Sequence, residues 1–468
     1  MDLHFEEHNN QSLKRFEKML RTDTVYFFDS AEFERIIHFY IDGGKINLAK
    51  KAIALSLDQH PAIIGLRLLK AELLILEEKF SEALQILDEI EALEPTNEEV
   101  FIQKAMLLSK QEKHQESIKL LEKALEFSEE TNSDVLSLIA MEYLFLEDFD
   151  RAILYFRNCL EMDSSDFTTL FNIVYCYDML ERPNEAIAFL KQHIDEEPFS
   201  ETAWHQLGRQ YANLKDYIEA LKAFDYAILI DDQFIGAYLE KAKTLEALNR
   251  YDEAIANYLI TTELDDPTAF AFLRVGSCYE KLNQKRKAID FYLKSKEQDP
   301  FLDKPLLALA DLYFKNDDYQ KALFYINQLI NIDDENPNFW KIYAQSNLKI
   351  AFFEEAAKAF QKCLDLDDNS LEIHLALADT YYFIGDYKEA IKTLFKTEIF
   401  YHGHAEIEYR LSGLHFLIKS NDLGVKHLEK ALQINFQKYR EFQSLFPAIH
   451  NSKGVKAIVA SFRNASNQ

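Results

Sequence analysis

The chain has 468 residues, 48% hydrophobic and 13% aromatic, with only 11 Gly and 9 Pro. So much apolar side chain excludes a disordered chain, and so few turn formers exclude an all-β one. The net charge of −27, from 79 acidic against 52 basic residues, opposes nucleic-acid phosphate and anionic lipid.

The segment Met1–Glu7 has no basic region followed by an apolar run, so it does not read as a secretory signal. No stretch approaches the ~18 apolar residues of a membrane span. These observations point to the cytoplasm. Leu13, Phe16, Met19 and Leu20 then form the stripe of an amphipathic helix.

From residue 30 onward one small residue returns at nearly constant spacing: Ala49, Ala83, Ser117, Ala152, Ala186, Ala220, Ala254, Ala288, Ala322, Ala356, Ala390 and Gly424. Ten of the eleven intervals are 34 residues; the interval from Ser117 to Ala152 is 35, through an insertion before Ser133. A period of this length marks a supersecondary unit repeated side by side. In the unit from Glu201 to Asp232, Trp204, Leu207, Gly208 and Tyr211 share one helical face. A polar break at residues 213–216 separates them from a second stripe of Tyr217, Ala220, Leu221, Phe224, Ala227 and Ile228. Each unit is thus predicted to be an antiparallel pair of helices. Gly208 and its equivalents, among them Ala71, Ala140 and Gly276, would let the two helices approach closely. Large residues alternate with them, Tyr143, Tyr177, Tyr211, Tyr279, Tyr313 and Tyr381 at one offset and Phe156, Phe224, Tyr258, Tyr292 and Phe360 at another. Pro61, Pro95, Pro198 and Pro300 stop second helices.

The pattern of Trp204, Leu207–Gly208, Tyr211, Ala220, Phe224 and Ala227, with a closing Pro in sister units, resembles the tetratricopeptide repeat (TPR). Twelve units begin at Ser30, Ile64, Glu98, Ser133, Phe167, Glu201, Ile235, Ala269, Asp303, Pro337, Leu371 and Ala405, covering residues 30–438. The resemblance implies an all-α fold: a right-handed α-solenoid superhelix of more than one turn, its concave groove lined by first helices. Residues 1–29 and 439–468 would be caps, the latter through Phe442, Leu445, Phe446, Val455, Ile458, Val459 and Phe462. His374, Glu408 and His415 depart from the pattern, Pro183 interrupts a turn, and Ser117 replaces the landmark Ala. Those units are expected to pack less regularly.

No phosphate loop, GxSxG, HExxH or CxxC occurs, and the flanks are too short for a catalytic domain. The reading is therefore of a non-enzyme without cofactor. Paired acids such as Glu77–Glu78 and Glu129–Glu130 read as solvated helix faces. Cys176 and Cys278 share one offset in their units, and Cys159 and Cys363 another, which suits reduced packing residues. Tyr401–His402–Gly403–His404, with His374, His415 and His427, is the nearest approach to a metal set, and reads more simply as a polar turn; no metal site is predicted.

The groove positions are the second, fifth and ninth of each first helix, with the twelfth and thirteenth at the rim. They give Ile102, Met106, Met141, Leu144, Phe171 and Tyr175, then a basic track of His205, Arg209, Lys243, Lys304, Lys341 and Lys349, with Arg274 and Arg410 nearby. The expected function is a protein-interaction scaffold that holds a peptide segment, its apolar side chains on the first set and its acidic part on the second. Alternatively the apolar set is covered by another superhelical turn, a second copy or the N-terminal segment. A second class, RNA binding through the basic track, is opposed by the global charge. Some TPR proteins clamp a C-terminal carboxylate with cations and amides. Lys341, Gln345, Ala376, Glu406 and Arg410 match that arrangement only partly, which disfavours it.

Overall fold

The computed structural model describes residues 2–22, 26–128, 132–264 and 268–465. Glu129, Glu130 and the insertion before Ser133 lie outside the described residues. Among those described, the secondary structure is helical and contains no strand. An N-terminal helix, Asp2–Thr22, precedes twelve consecutive helix pairs. The first helices begin at Ser30, Ile64, Glu98, Ser133, Phe167, Glu201, Ile235, Ala269, Asp303, Pro337, Leu371 and Ala405. The second helices begin at Ile46, Phe80, His114, Phe149, Pro183, Tyr217, Tyr251, Lys285, Tyr319, Phe353, Tyr387 and Asn421. The pairs are numbered 1 to 12 in this order. Two short helices, Tyr439–Leu445 and Pro447–His450, and a full-length one, Lys453–Ala465, follow. The chain divides into two compact units, residues 1–237 and 238–468, called here the N-terminal and C-terminal halves.

Local chemistry sets where the helices start. The side chains of Asn97, Asn132, Asp166, Ser200, Thr268 and Asn336 accept backbone N–H bonds at the heads of first helices. Asp29 and Glu32 close a reciprocal capping box at the head of pair 1. Asp148, Asp318 and Asp386 do the same service for second helices. Pro183 is the first residue of the second helix of pair 5, which runs a full Pro183–Glu196. The expected interruption is therefore absent, because the first helical position has no N–H partner to lose.

The turn inside every pair is closed by one residue in the left-handed region. These are Gly44, Glu78, Glu112, Glu147, Glu181, Lys215, Asn249, Asn283, Asp317, Ala351, Gly385 and Lys419, with φ between 54° and 91°. The next residue donates back five positions, as in Lys79 N–H to the Leu74 carbonyl at 2.8 Å and Asp216 N–H to that of Tyr211 at 2.9 Å. This satisfies the last carbonyls of the first helix. Glu77 and Glu78 lie in such a turn and not on a helix face, and Glu77 pairs with Lys50 and Lys79.

Each landmark residue is the fourth of its second helix, and all twelve are buried. Ser117 is tolerated there because its hydroxyl donates to the Ala105 carbonyl at 2.9 Å. Gly208 is required by an aromatic ring: a Cβ there would stand 2.5 Å from Phe224, and one on Gly276 2.5 Å from Tyr292. Tyr143, Tyr279 and Tyr313 stack on Tyr155, Phe291 and Tyr325 of their own pairs at 5.5, 5.4 and 5.7 Å. Arg151, Lys287 and Lys321 cap those tyrosines at 5.2, 5.0 and 5.0 Å.

In the N-terminal half, Phe16 and Met19 bury against Phe28, just before pair 1, and against Phe33, Ile37 and Tyr40 within it. In the C-terminal half, Phe442, Phe446, Val455 and Val459 close over pair 12. Toward the C-terminus, helix length departs from the pattern in pairs 10 and 11: Phe353–Asp365 is one residue shorter than its sister helices and Leu371–Ile384 one longer.

Candidate interaction face

First helices of neighbouring pairs lie against each other, as in pairs 1 and 2, 2 and 3, 5 and 6, and 11 and 12. Their second, fifth and ninth positions meet. Gly65 would place a Cβ 2.9 Å from the Glu34 carboxylate, and Gly236 packs near the His205 ring. Lys341 and Gln345 both reach Glu372, at 2.7 and 3.3 Å. Lys243 lies 5.8 Å over the Phe270 ring. These contacts place the second, fifth and ninth positions of neighbouring first helices side by side.

In the N-terminal half, Ile102, Met106, Met141 and Leu144 are half-buried. Ile102, Met141 and Leu144 lean on the core of pairs 3 to 6. Phe171 and Tyr175 stand open, 48% and 40% exposed. Phe145 and Met179, from the thirteenth position of pairs 4 and 5, extend the exposed apolar surface. They follow the same spacing as the other rim positions. At the pair 6 end, Arg209 donates to Gln206 at 3.1 Å, and His205 is flanked by the rings of Phe224 and Phe234.

The same face in pairs 1 to 3 is acidic, through Glu34, Glu72 and Glu99. Burial, with Asp42 nearby, pushes the Glu72 carboxyl above the ordinary carboxylate range, against the pull of His38. Glu99 is also raised, first by the protein around it and then by Glu72 and Glu98, although Gln103 donates to it at 3.0 Å. These positions follow the same rule as the apolar set and were legible by it in pairs 1 to 3.

The other basic-track residues fall in the C-terminal half, where acids offset two of them. Lys243 pairs with Glu240 at 2.7 Å and Lys341 with Glu372, while Lys304 and Lys349 are exposed. Arg274 forks onto Glu246, and Arg410 onto Asp379 with both distances 2.8 Å. Two of the six track residues are thus taken up by ion pairs, Lys243 within its own helix and Lys341, like the nearby Arg274 and Arg410, with a carboxylate on the neighbouring first helix.

No group of three or more His, Cys, Asp or Glu that could hold a metal occurs among the described residues. His402 and His404 are exposed beside Gly403, whereas His374 and His415 are buried and His427 bonds Glu408 at 2.6 Å. All four cysteines are buried, and burial pushes Cys176 up to about 11 and Cys363 up to about 12. Such thiols pack and do not react. No helix among the described residues is long and apolar enough to cross a membrane.

Tetratricopeptide-repeat family models match residues 98–131, 133–166 and 201–234, then 239–303 and 353–409. A model of anaphase-promoting complex, cyclosome, subunit 3 matches residues 283–363. No curated protein matches the sequence. Among solved structures, MamA is 24% identical over 35% of this chain and 95% of its own, with a TM-score of 0.32. YrrB, described as a TPR protein with an unusual peptide-binding site, is 15% identical over 40% of this chain and 95% of its own, TM-score 0.35. The anaphase-promoting complex hetero-tetramer Cut9–Hcn1 is 14% identical over 98% of this chain and 94% of its own, TM-score 0.34. None of the matched families is catalytic, and an array of this kind is an interaction scaffold. The family models recur along the chain in the register of its helix pairs: this is a tetratricopeptide-repeat protein.

Proposed function

We propose that the chain is a non-enzymatic scaffold that holds an extended peptide segment on the first-helix face of its N-terminal half. The observation that carries this reading is the open apolar surface of Phe171, Tyr175 and Met179, bordered by the half-buried Met141, on the first-helix face of pairs 4 and 5. An apolar patch of this kind on a soluble protein marks a contact surface. Methionine and aromatic rings suit varied side chains, because one adapts its shape and the other offers large rigid area. Arg209 would receive an acidic group at the pair 6 end. Lys304 and Lys349 of the C-terminal half are candidates for a separate acidic contact, with Lys243 and Lys341 engaged by their own carboxylates. RNA binding is the weaker reading, since those pairs cancel the charge that phosphate would need.

Met141→Glu together with Phe171→Glu should abolish capture of native partners while leaving helicity by circular dichroism unchanged. Phe171 is exposed but Met141 leans on the core, so an unchanged melting temperature is the control that separates loss of the face from unfolding. Undiminished capture by the double variant would remove this face from consideration.

A further inference from the structure

Resting on that docking face, we infer that the bound segment carries lysine or arginine beside its apolar residues, the cations meeting Glu34, Glu72 and Glu99 while the apolar side chains pack on Met106, Met141, Phe171 and Tyr175. The two sets adjoin. Glu99 shares the helix Glu98–Lys110 with Ile102 and Met106, at spacings of about one and two turns. The acids are also short of counter-charge. Elsewhere in pairs 1 to 3, Glu32 pairs with Arg15, Glu77 with Lys50, Glu89 with Arg67 and Glu91 with Lys104. Among the described residues no Lys or Arg stands within ion-pair reach of Glu34, Glu72 or Glu99.

The carboxyls of Glu72 and Glu99 already repel one another. A cation arriving between them relieves that repulsion, whereas a phosphate or a carboxylate adds to it. The segment therefore has a direction: basic over pairs 1 to 3, apolar over pairs 3 to 5, and acidic toward Arg209. An unpaired carboxylate set next to exposed aromatics selects against anionic segments as firmly as it selects for cationic ones.

The test pans a phage-displayed library of random twelve-residue peptides on the full chain. It repeats the selection on Glu72→Lys with Glu99→Lys, and on Met141→Glu with Phe171→Glu. The native chain should enrich Lys or Arg flanking apolar residues. The charge-reversed variant should enrich Asp or Glu in their place and bind the native-selected peptides about tenfold more weakly. Apolar peptides without basic bias, or unchanged enrichment on the charge-reversed variant, would overturn the charge inference and leave the docking face standing. Unchanged enrichment on the Met141 and Phe171 variant would remove the face itself, and no enrichment by the native chain would remove both. Should charge reversal cost helicity, Glu72→Gln with Glu99→Gln makes the same comparison and should lose the basic bias.

Discussion

The two halves of this molecule use one helical pair for opposite ends. In the N-terminal half, among the described residues, the first-helix face leaves Glu34, Glu72 and Glu99 without a Lys or Arg partner and its aromatic rings open. In the C-terminal half the corresponding face is stitched by Lys341–Glu372, Arg274–Glu246 and Arg410–Asp379. A repeat constrains the positions that touch its own partner helix, and it leaves the second, fifth and ninth places of the first helix free to vary. Those places become internal glue where opposite charges face each other across neighbouring pairs. They remain available for a partner where like charges or apolar groups do.

Breaking a pair in the N-terminal half should have the largest consequence. Ala220 is fully buried where its two helices meet, so Ala220→Glu forces a carboxylate into a closed core at a cost above about 4 kcal/mol. Because an array is held by neighbour contacts, calorimetry should then show two unfolding transitions in place of one. A single unshifted transition would contradict the array picture.

The ion pairs of the C-terminal half come next. Arg410 is almost fully buried between Asp379 and Glu441, and its guanidinium is held above its ordinary range by those carboxylates, against the cost of burial. Arg410→Ala strands Asp379 and should cost about 3–5 kcal/mol. Hydrogen exchange should report the loss in residues 371–465 before any other part of that half.

Acid should also weaken the C-terminal half, with a smaller effect. His415 is buried with neither ring nitrogen bonded, and its ring stacks at 5.3 Å on His427, which with Lys430 holds the buried Glu408. Burial, then His427, lowers the His415 pKa from its ordinary 6.5. The unfolded chain therefore takes up the proton first, so stability falls as pH drops below 6.5 toward the lower folded value. Burial lowers His374 likewise, and His193 of the N-terminal half too, with the same sign. His415→Phe should flatten the decline of melting temperature between neutral and mildly acidic pH, and an unaltered slope would exclude His415 as its source.

The smallest effect sharpens the comparison from the backbone side. Glu147 holds φ at 57° where Gly385 holds the equivalent turn in the other half. Glu147→Gly should stabilise the N-terminal half by roughly 0.5–1 kcal/mol, read as a rise in its melting temperature. A loss of stability would mean that the Glu147 side chain outweighs its backbone strain.

How much of this was legible before folding differs by feature. The register of the helix pairs could be read because a small residue must stand at every helix crossing, and its spacing survives in one dimension. The left-handed turns could not, since eight of twelve use neither Gly nor Asn and nothing local marks them. The Lys243–Glu240 pair lies within one helix and was readable by its spacing of three. Lys341–Glu372 joins residues 31 apart and was not.

By itself, then, the sequence determined the repeated pair, its twelve-fold recurrence and the absence of any catalytic motif, because periodic burial and motif spacing are properties of order along a chain. Tertiary structure alone decided which charged groups on the face are spent inside the molecule and which stay open. Coulomb energy depends on distances between neighbouring pairs, and no spacing along one helix encodes them.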